Sequence, residues 1–113
     1  MITFLVVATL TAYDGDTLKD NGQRLRLVEI DAPEINDKAR CPYEHDLGIK
    51  SRDFVRSRIN APGAKVLVIR TGRLDKYHRP LVRLIVNGHD VGEEVIAAGL
   101  AKHWPPRAEW CGN

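Results

Sequence analysis

Little in this chain is extreme, and its shortages narrow what it can be. No run approaches the ~20 apolar residues that span a bilayer, so no membrane partner is expected. The two cysteines, Cys41 and Cys111, and the four histidines, His45, His78, His89 and His103, fall in no metal-ligand spacing. Aromatic residues are only 6% of the chain and few sit at alternating strand positions. That argues against a plain single-strand-binding barrel, which relies on rows of stacking rings. Charge of one sign is scarce as well. Seventeen Lys and Arg stand against fifteen Asp and Glu, a net +2. A chain that grips nucleic acid through its backbone alone is usually more basic. Mild positive charge therefore permits a polyanionic partner without demanding one.

What remains is ordinary globular material, 43% apolar and 28% charged over 113 residues, enough to bury one modest core but not two. A single domain over residues 1–113, acting as a monomer, is the expectation. The start, Met1-Ile2-Thr3-Phe4-Leu5-Val6-Val7-Ala8, lacks a basic n-region and a clear cleavage site, so it reads as a β-strand and not as a signal peptide. The cysteines leave two readings. They are either unrelated thiols in a reducing cytosol, or a bridge tying down a tail that contains Pro105, Pro106 and Gly112. A bridge closing so long a loop is worth up to ~4 kcal/mol in the chain-entropy model and would place the protein in an oxidising compartment, secreted or periplasmic. Without it, a cytoplasmic location follows.

Periodicity predicts strands at about Ile2–Tyr13, Asp16–Lys19 and Arg24–Ile30, with Asn21-Gly22 as a hairpin turn. Pro33 and Pro42 bracket a loop. A helix over Asp46–Ile59 shows Leu47, Ser51, Phe54, Val55 and Ile59 along one face, and Ala61-Pro62-Gly63 ends it. Strands follow at Lys65–Thr71 and Leu81–Val86, joined onward through Asn87-Gly88. Asp90-Val91-Gly92-Glu93 has capping-box spacing and opens a helix through Ala98, closed by Gly99. Three strands, a helix, two strands and a helix fit a mainly β, α+β fold. The count matches a five-stranded Greek-key barrel of the oligonucleotide-binding type with two helices packed against it.

Three segments carry chemistry. The first is Asp14-Gly15-Asp16-Thr17, the second Arg26-Leu27-Val28-Glu29-Ile30-Asp31-Ala32-Pro33-Glu34, the third Asp75-Lys76-Tyr77-His78-Arg79-Pro80-Leu81. Asp31, Glu34 and the Ala32 carbonyl lie within one short arc of chain, offering the mixed oxygen ligands that a hard cation prefers. If Asn21-Gly22 sets the hairpin register, Asp16 falls opposite Leu27, and only a bend near Gly15 brings it to Asp31. Arg26 shares strand parity with Val28 and Ile30 and is expected to point to an otherwise apolar face, where it needs an anionic partner. Arg79 has its freedom limited by Pro80, and guanidinium forks match phosphate oxygens. Lys76 and Tyr77 are placed to reach a neighbouring phosphate or to serve only as exposed turn residues. Trp104 and Trp110 read as core or tail anchors.

Taken in order, these motifs resemble the staphylococcal nuclease (thermonuclease) family, as do Gly88-His89-Asp90-Val91 and Gly99-Leu100-Ala101. The resemblance covers about residues 5 to 102. It implies an oligonucleotide-binding barrel and a Ca²⁺-dependent nuclease acting on DNA and RNA and leaving 3′-phosphates. It implies Asp16, Asp31 and the Ala32 carbonyl as Ca²⁺ ligands, and Glu34 as the residue that orients or deprotonates water. Arg26 and Arg79 would neutralise charge on the phosphorus, and Lys76 and Tyr77 would hold an adjacent phosphate. Three features depart from the family: His78 stands where glycine is usual, His103-Trp104-Pro105-Pro106 replaces tyrosines, and the chain stops at Asn113. A catalytically inactive nucleic-acid-binding or interaction module of the same fold is the alternative. Such modules typically lose the acidic and arginine set that is whole here.

Overall fold

The computed structural model describes residues 2–4 and 9–112. Its strands are β1 (Ile2–Phe4), β2 (Leu10–Ala12), β3 (Thr17–Asp20), β4 (Gln23–Leu27), β5 (Ile30–Asp31), β6 (Val66–Leu74), β7 (Pro80–Val86), β8 (His89–Asp90) and β9 (Lys102–His103). Two helices, α1 (Pro42–Ile59) and α2 (Val91–Ala97), complete the chain. Among the described residues, neither is long and apolar enough to cross a membrane.

The main sheet runs β1-β6-β7-β4-β3-β2, with β8 added beside β7. β1 and β2 stand at opposite ends of this order, yet few residues separate them in sequence, so the sheet must curl until its edges approach. A parallel pair, Arg26 against Leu81 and Leu27 against Val82, joins the N-terminal hairpin to β7, and the other pairings are antiparallel. The result is the expected α+β arrangement, a curled barrel-like sheet carrying two helices. One cluster fills it: Leu18, Leu25, Val68, Val82, Leu84 and Val86 from the sheet meet Val55 and Ile59 of α1 and Val91 and Val95 of α2, all essentially without solvent contact. At ~25 cal/mol per Å² of apolar surface removed from water, this cluster is the dominant favourable contribution.

Local chemistry explains most boundaries. Asn21 and Gly22 both hold positive φ and reverse the chain between β3 and β4, placing Thr17 opposite Arg26. Asp90 caps α2 by accepting from the Glu93 N–H (3.1 Å), and Gly99 at φ +76° closes it.

The structure corrects several sequence expectations. Helix α1 begins at Pro42 and not Asp46. Pro42 occupies the first turn, where a missing N–H costs nothing, and Cys41 caps it by accepting from the Glu44 N–H at 3.4 Å. The inward face of α1 is consequently Glu44, Gly48, Ser51, Val55 and Ile59, while Leu47 and Phe54 are only half-buried. The run Arg24–Ile30 is interrupted: Glu29, at φ +66°, turns the chain, so Ile30–Asp31 forms a separate strand against Lys102–His103. That turn also breaks the assumed parity. Leu25 and Leu27 face the core, and Arg26 lies on the opposite face, half-buried. Within the long first strand, β1 and β2 are seen, and residues 5–8 lie outside the described residues.

Candidate functional site

Two close approaches to α1 bring the acidic segments together. At Gly15 an added Cβ would lie 1.9 Å from Ser51 Oγ and 2.8 Å from Ala32 Cβ. At Gly48 it would lie 2.6 Å from the Glu34 carbonyl oxygen and 2.9 Å from that of Pro33. Only glycine permits either contact. The Asp14–Asp16 turn and the Pro33–Glu34 loop are thereby pressed onto one helix. The turn is shaped by Asp14, whose Oδ1 accepts from the Asp16 N–H at 3.1 Å.

Asp16 falls opposite Leu27, as the hairpin register requires, since the Leu27 N–H donates to the Asp16 carbonyl at 2.8 Å. Its side chain nevertheless reaches the second acidic segment. Asp16 Oδ2 accepts from the Ala32 N–H at 2.8 Å and lies 3.5 Å from Arg26 Nη1. Arg26 thus has the anionic partner it needed. Its guanidinium also donates to the carbonyls of Leu27 (3.0 Å) and Asp16 (3.3 Å), which fixes the fork.

Burial, reinforced by neighbouring Asp14, pushes the Asp16 carboxyl up to about 7 against the pull of Arg26 and the Ala32 N–H. Burial also raises Asp31, with Asp16 adding to it, while the N–H of Ala108, donating to Asp31 Oδ2 at 2.8 Å, pulls the other way. Glu34 is raised by burial first and by Asp16 next, opposed by Lys38. Three half- to fully buried carboxyls are thus raised, each by burial first, with Asp16 adding to Asp31 and Glu34 and Asp14 adding to Asp16, the electrostatic signature of a place short of positive charge.

The third segment supplies Arg79. Asp75 organises its turn: Oδ1 accepts from the N–H of Tyr77 (2.9 Å) and of Arg79 (2.8 Å), and Oδ2 accepts from Arg79 Nε at 2.6 Å. Burial works against ionisation of Asp75, but these hydrogen bonds from Arg79 and Tyr77 win and hold its carboxyl below the usual range. His78 takes φ +65°, so it keeps the left-handed backbone that glycine adopts freely.

These pieces line one cleft of about 720 Å³, which holds Asp16, Arg26, Glu34, Tyr77 and Arg79. Asp31 does not line it. It opens instead on a small adjoining recess shared with Ala32, Glu34 and Arg107. Lys76 is also outside the cleft, lining a neighbouring groove of about 600 Å³ with Val28, Leu81, Trp104 and Pro105, and Arg26, Tyr77 and Arg79 border both spaces. Trp104 is accordingly a half-exposed groove wall and not a core anchor. Cys41 and Cys111 form a disulfide, which resolves the choice between thiols and a bridge.

Several residues of the site escaped the sequence motifs. Glu44, buried to 1% exposure, accepts from the Glu34 N–H (3.0 Å) and the Arg40 N–H (3.0 Å), and so positions the Glu34 loop. Its signal was its place two residues after Pro42, at the third position of the helix. Arg24, two residues from Arg26 on the same strand face, lies over the Tyr13 ring at 4.2 Å, and both line the cleft. Lys38 and Arg107 enter it from segments with no motif.

As for a metal, the donor chemistry fits a hard cation, since all candidate ligands are oxygens and the carboxyls are short of counter-charge. Among the described residues, no three His, Cys, Asp or Glu side chains form a ready cage.

Comparison with known proteins agrees with the geometry. The family model described as "Staphylococcal nuclease homologue" matches residues 24–109. Two proteins of Bacillus subtilis (strain 168), the SPbeta prophage-derived endonuclease YokF and endonuclease YncB, are each 36% identical over 106 residues, 87% of this chain. The chain spans 34% of the first and 48% of the second. With the match extending over most of its length, the chain belongs to the staphylococcal nuclease homologue family.

Proposed function

We propose that this protein is a Ca²⁺-dependent nuclease that hydrolyses phosphodiester bonds in DNA and RNA and leaves 3′-phosphates. The observation that carries this reading is the cleft itself: two carboxyls with raised proton affinity, Asp16 and Glu34, line it with two arginines whose guanidiniums are held by Asp16 and Asp75, and a third raised carboxyl, Asp31, opens on the adjoining recess. Relatives named endonucleases support it.

Glu34 is the base. Its raised proton affinity makes it a better acceptor for the proton of an attacking water than an ordinary surface carboxylate. The water oxygen bonds to phosphorus as the bond to the 5′ oxygen breaks, and the leaving oxygen is protonated from solvent. Arg26 and Arg79 face the phosphoryl oxygens with their forks already oriented, so little reorganisation accompanies the build-up of negative charge. Asp16, Asp31 and the Ala32 carbonyl would hold Ca²⁺, whose chemistry there is to draw charge from a phosphoryl oxygen. Lys76 and Tyr77 contact a phosphate further along the strand, in the adjoining groove. In this reading the domain acts as a monomer, and the Cys41–Cys111 bridge supports a secreted or periplasmic setting.

Circular single-stranded DNA and an RNA oligonucleotide, each incubated with Ca²⁺ or with chelator, test the reading. Linearisation only with Ca²⁺, giving 5′-hydroxyl ends that a kinase labels directly, is the expected result. Binding without cleavage under all conditions would instead identify an inactive module of the same fold.

A further inference from the structure

The main cleft contains one arginine that no side chain or carbonyl among the described residues holds. Arg24 lies over Tyr13, Arg26 is paired with Asp16, and Arg79 with Asp75. Arg107 also lines the cleft, yet among the described residues it makes no hydrogen bond or ion pair, and its charge acts on Asp31. Its side chain is exposed, but its backbone is closely fixed. On one side Lys102–His103 pairs with Ile30–Asp31 and the Trp104 N–H donates to the Glu29 carbonyl at 2.9 Å. On the other, the buried Ala108 donates its N–H to Asp31 Oδ2, and three residues later Cys111 is bonded to Cys41 at the start of α1. A tail segment with no helix or long strand of its own is thus tied at four points, and it presents a guanidinium beside Glu34.

From this arrangement we infer that Arg107 is a substrate-binding residue that grips a strand phosphate next to the scissile one, on the Glu34 side of the cleft. The inference rests on the nuclease reading and deepens it. A guanidinium left unpaired in a cleft lined by carboxyls is matched to a phosphate, which it can take in a two-pronged hydrogen bond. Lys76 lines the neighbouring groove, which Arg107 does not reach, and Tyr77 borders both spaces. Arg107 therefore extends the run of phosphates contacted in the opposite direction, and a longer strand is held better than a short one.

Steady-state cleavage by the full chain in Ca²⁺ tests this with two single-stranded DNA substrates: an oligonucleotide, and a dinucleotide carrying only the scissile phosphate. For Arg107→Gln, KM on the oligonucleotide should rise about tenfold with kcat nearly unchanged, the loss of one charged hydrogen-bonded contact. The salt dependence of kcat/KM should flatten by about 0.7 in logarithmic slope, the value of one phosphate contact on single strands. Arg107→Lys should restore that slope. The dinucleotide should not distinguish Arg107→Gln from wild type. A merely structural role would lower kcat on both substrates, and that result, or an unaltered KM and slope on the oligonucleotide, would overturn the inference. Failure of the wild type to cleave either substrate would instead strike at the nuclease reading itself, and this inference would fall with it.

Discussion

Replacing Asp16 with asparagine should make the metal-free protein more stable at alkaline pH, an unusual result for removing a buried, hydrogen-bonded carboxyl. The reason is that the fold holds the Asp16 carboxyl in its neutral form more firmly than the unfolded chain does: burial and Asp14 lift it from 3.8 to about 7. A group raised on folding stabilises fully below its unfolded value, and that stability is lost as pH climbs toward and through the folded value. At about pH 8 the whole penalty applies, roughly three pKa units at ~1.4 kcal/mol each, or about 4 kcal/mol. The amide of the variant does not titrate, so it escapes this cost. It has one acceptor oxygen where the carboxylate has two, and those two now accept from the Ala32 N–H at 2.8 Å and the Thr17 hydroxyl at 3.1 Å. Losing one such partner costs about 1–2 kcal/mol.

The net expectation for Asp16→Asn is a gain of about 2 kcal/mol near pH 8, reversing to a small loss near pH 4, where the wild-type carboxyl is neutral. With ~4 °C per kcal/mol for a chain of this size, thermal unfolding in chelator should show a rise of roughly 8 °C at the alkaline pH. Adding Ca²⁺ should raise the wild-type midpoint and leave Asp16→Asn unmoved. A variant less stable than wild type at alkaline pH in chelator would refute the claim that this cleft stores uncompensated negative charge.

Three other outcomes follow from the same geometry. Gly48→Ala should cost about 1–3 kcal/mol by urea unfolding, because its Cβ meets backbone and not a movable side chain, and a displaced Glu34 should slow cleavage about 10²-fold. Asp75→Asn should lower kcat by roughly 10- to 100-fold with little change in midpoint, since it loosens the Arg79 fork at the protein surface; an unaltered kcat would show that Arg79 needs no such holder. Reducing the Cys41–Cys111 bridge reopens a loop closed across 70 residues and should cost about 4 kcal/mol, read as a midpoint lowered by ~15 °C.

Much of this was legible in the letters, for reasons that are local. Asn21-Gly22 and Asp90-x-x-Glu93 declare a turn and a cap through the needs of a few backbone groups, and the hairpin turn alone placed Asp16 opposite Leu27. The acidic and arginine motifs stood out because no packing need explains them. What stayed hidden depends on contacts between distant segments. Gly48 looks like an indifferent helical glycine until the Glu34 loop is laid on it, and Glu44 looks like a surface acid until it receives that loop's N–H. The parity of Arg26 was misjudged because Glu29 adopts a left-handed backbone that a glutamate does not advertise. Arg107 carries no motif at all. Its position comes from a strand pair, two tail hydrogen bonds and a disulfide acting together.

Glu34 bears the account's central claim, that a carboxyl with raised proton affinity activates water beside two preoriented arginines. The direct measurement is the cleavage rate of a single-stranded DNA oligonucleotide at saturating Ca²⁺ by Glu34→Gln, whose amide keeps the shape and cannot take a proton. The rate constant should fall by about 10²-fold or more while KM stays near the wild-type value. A rate constant equal to that of the wild type would contradict the account.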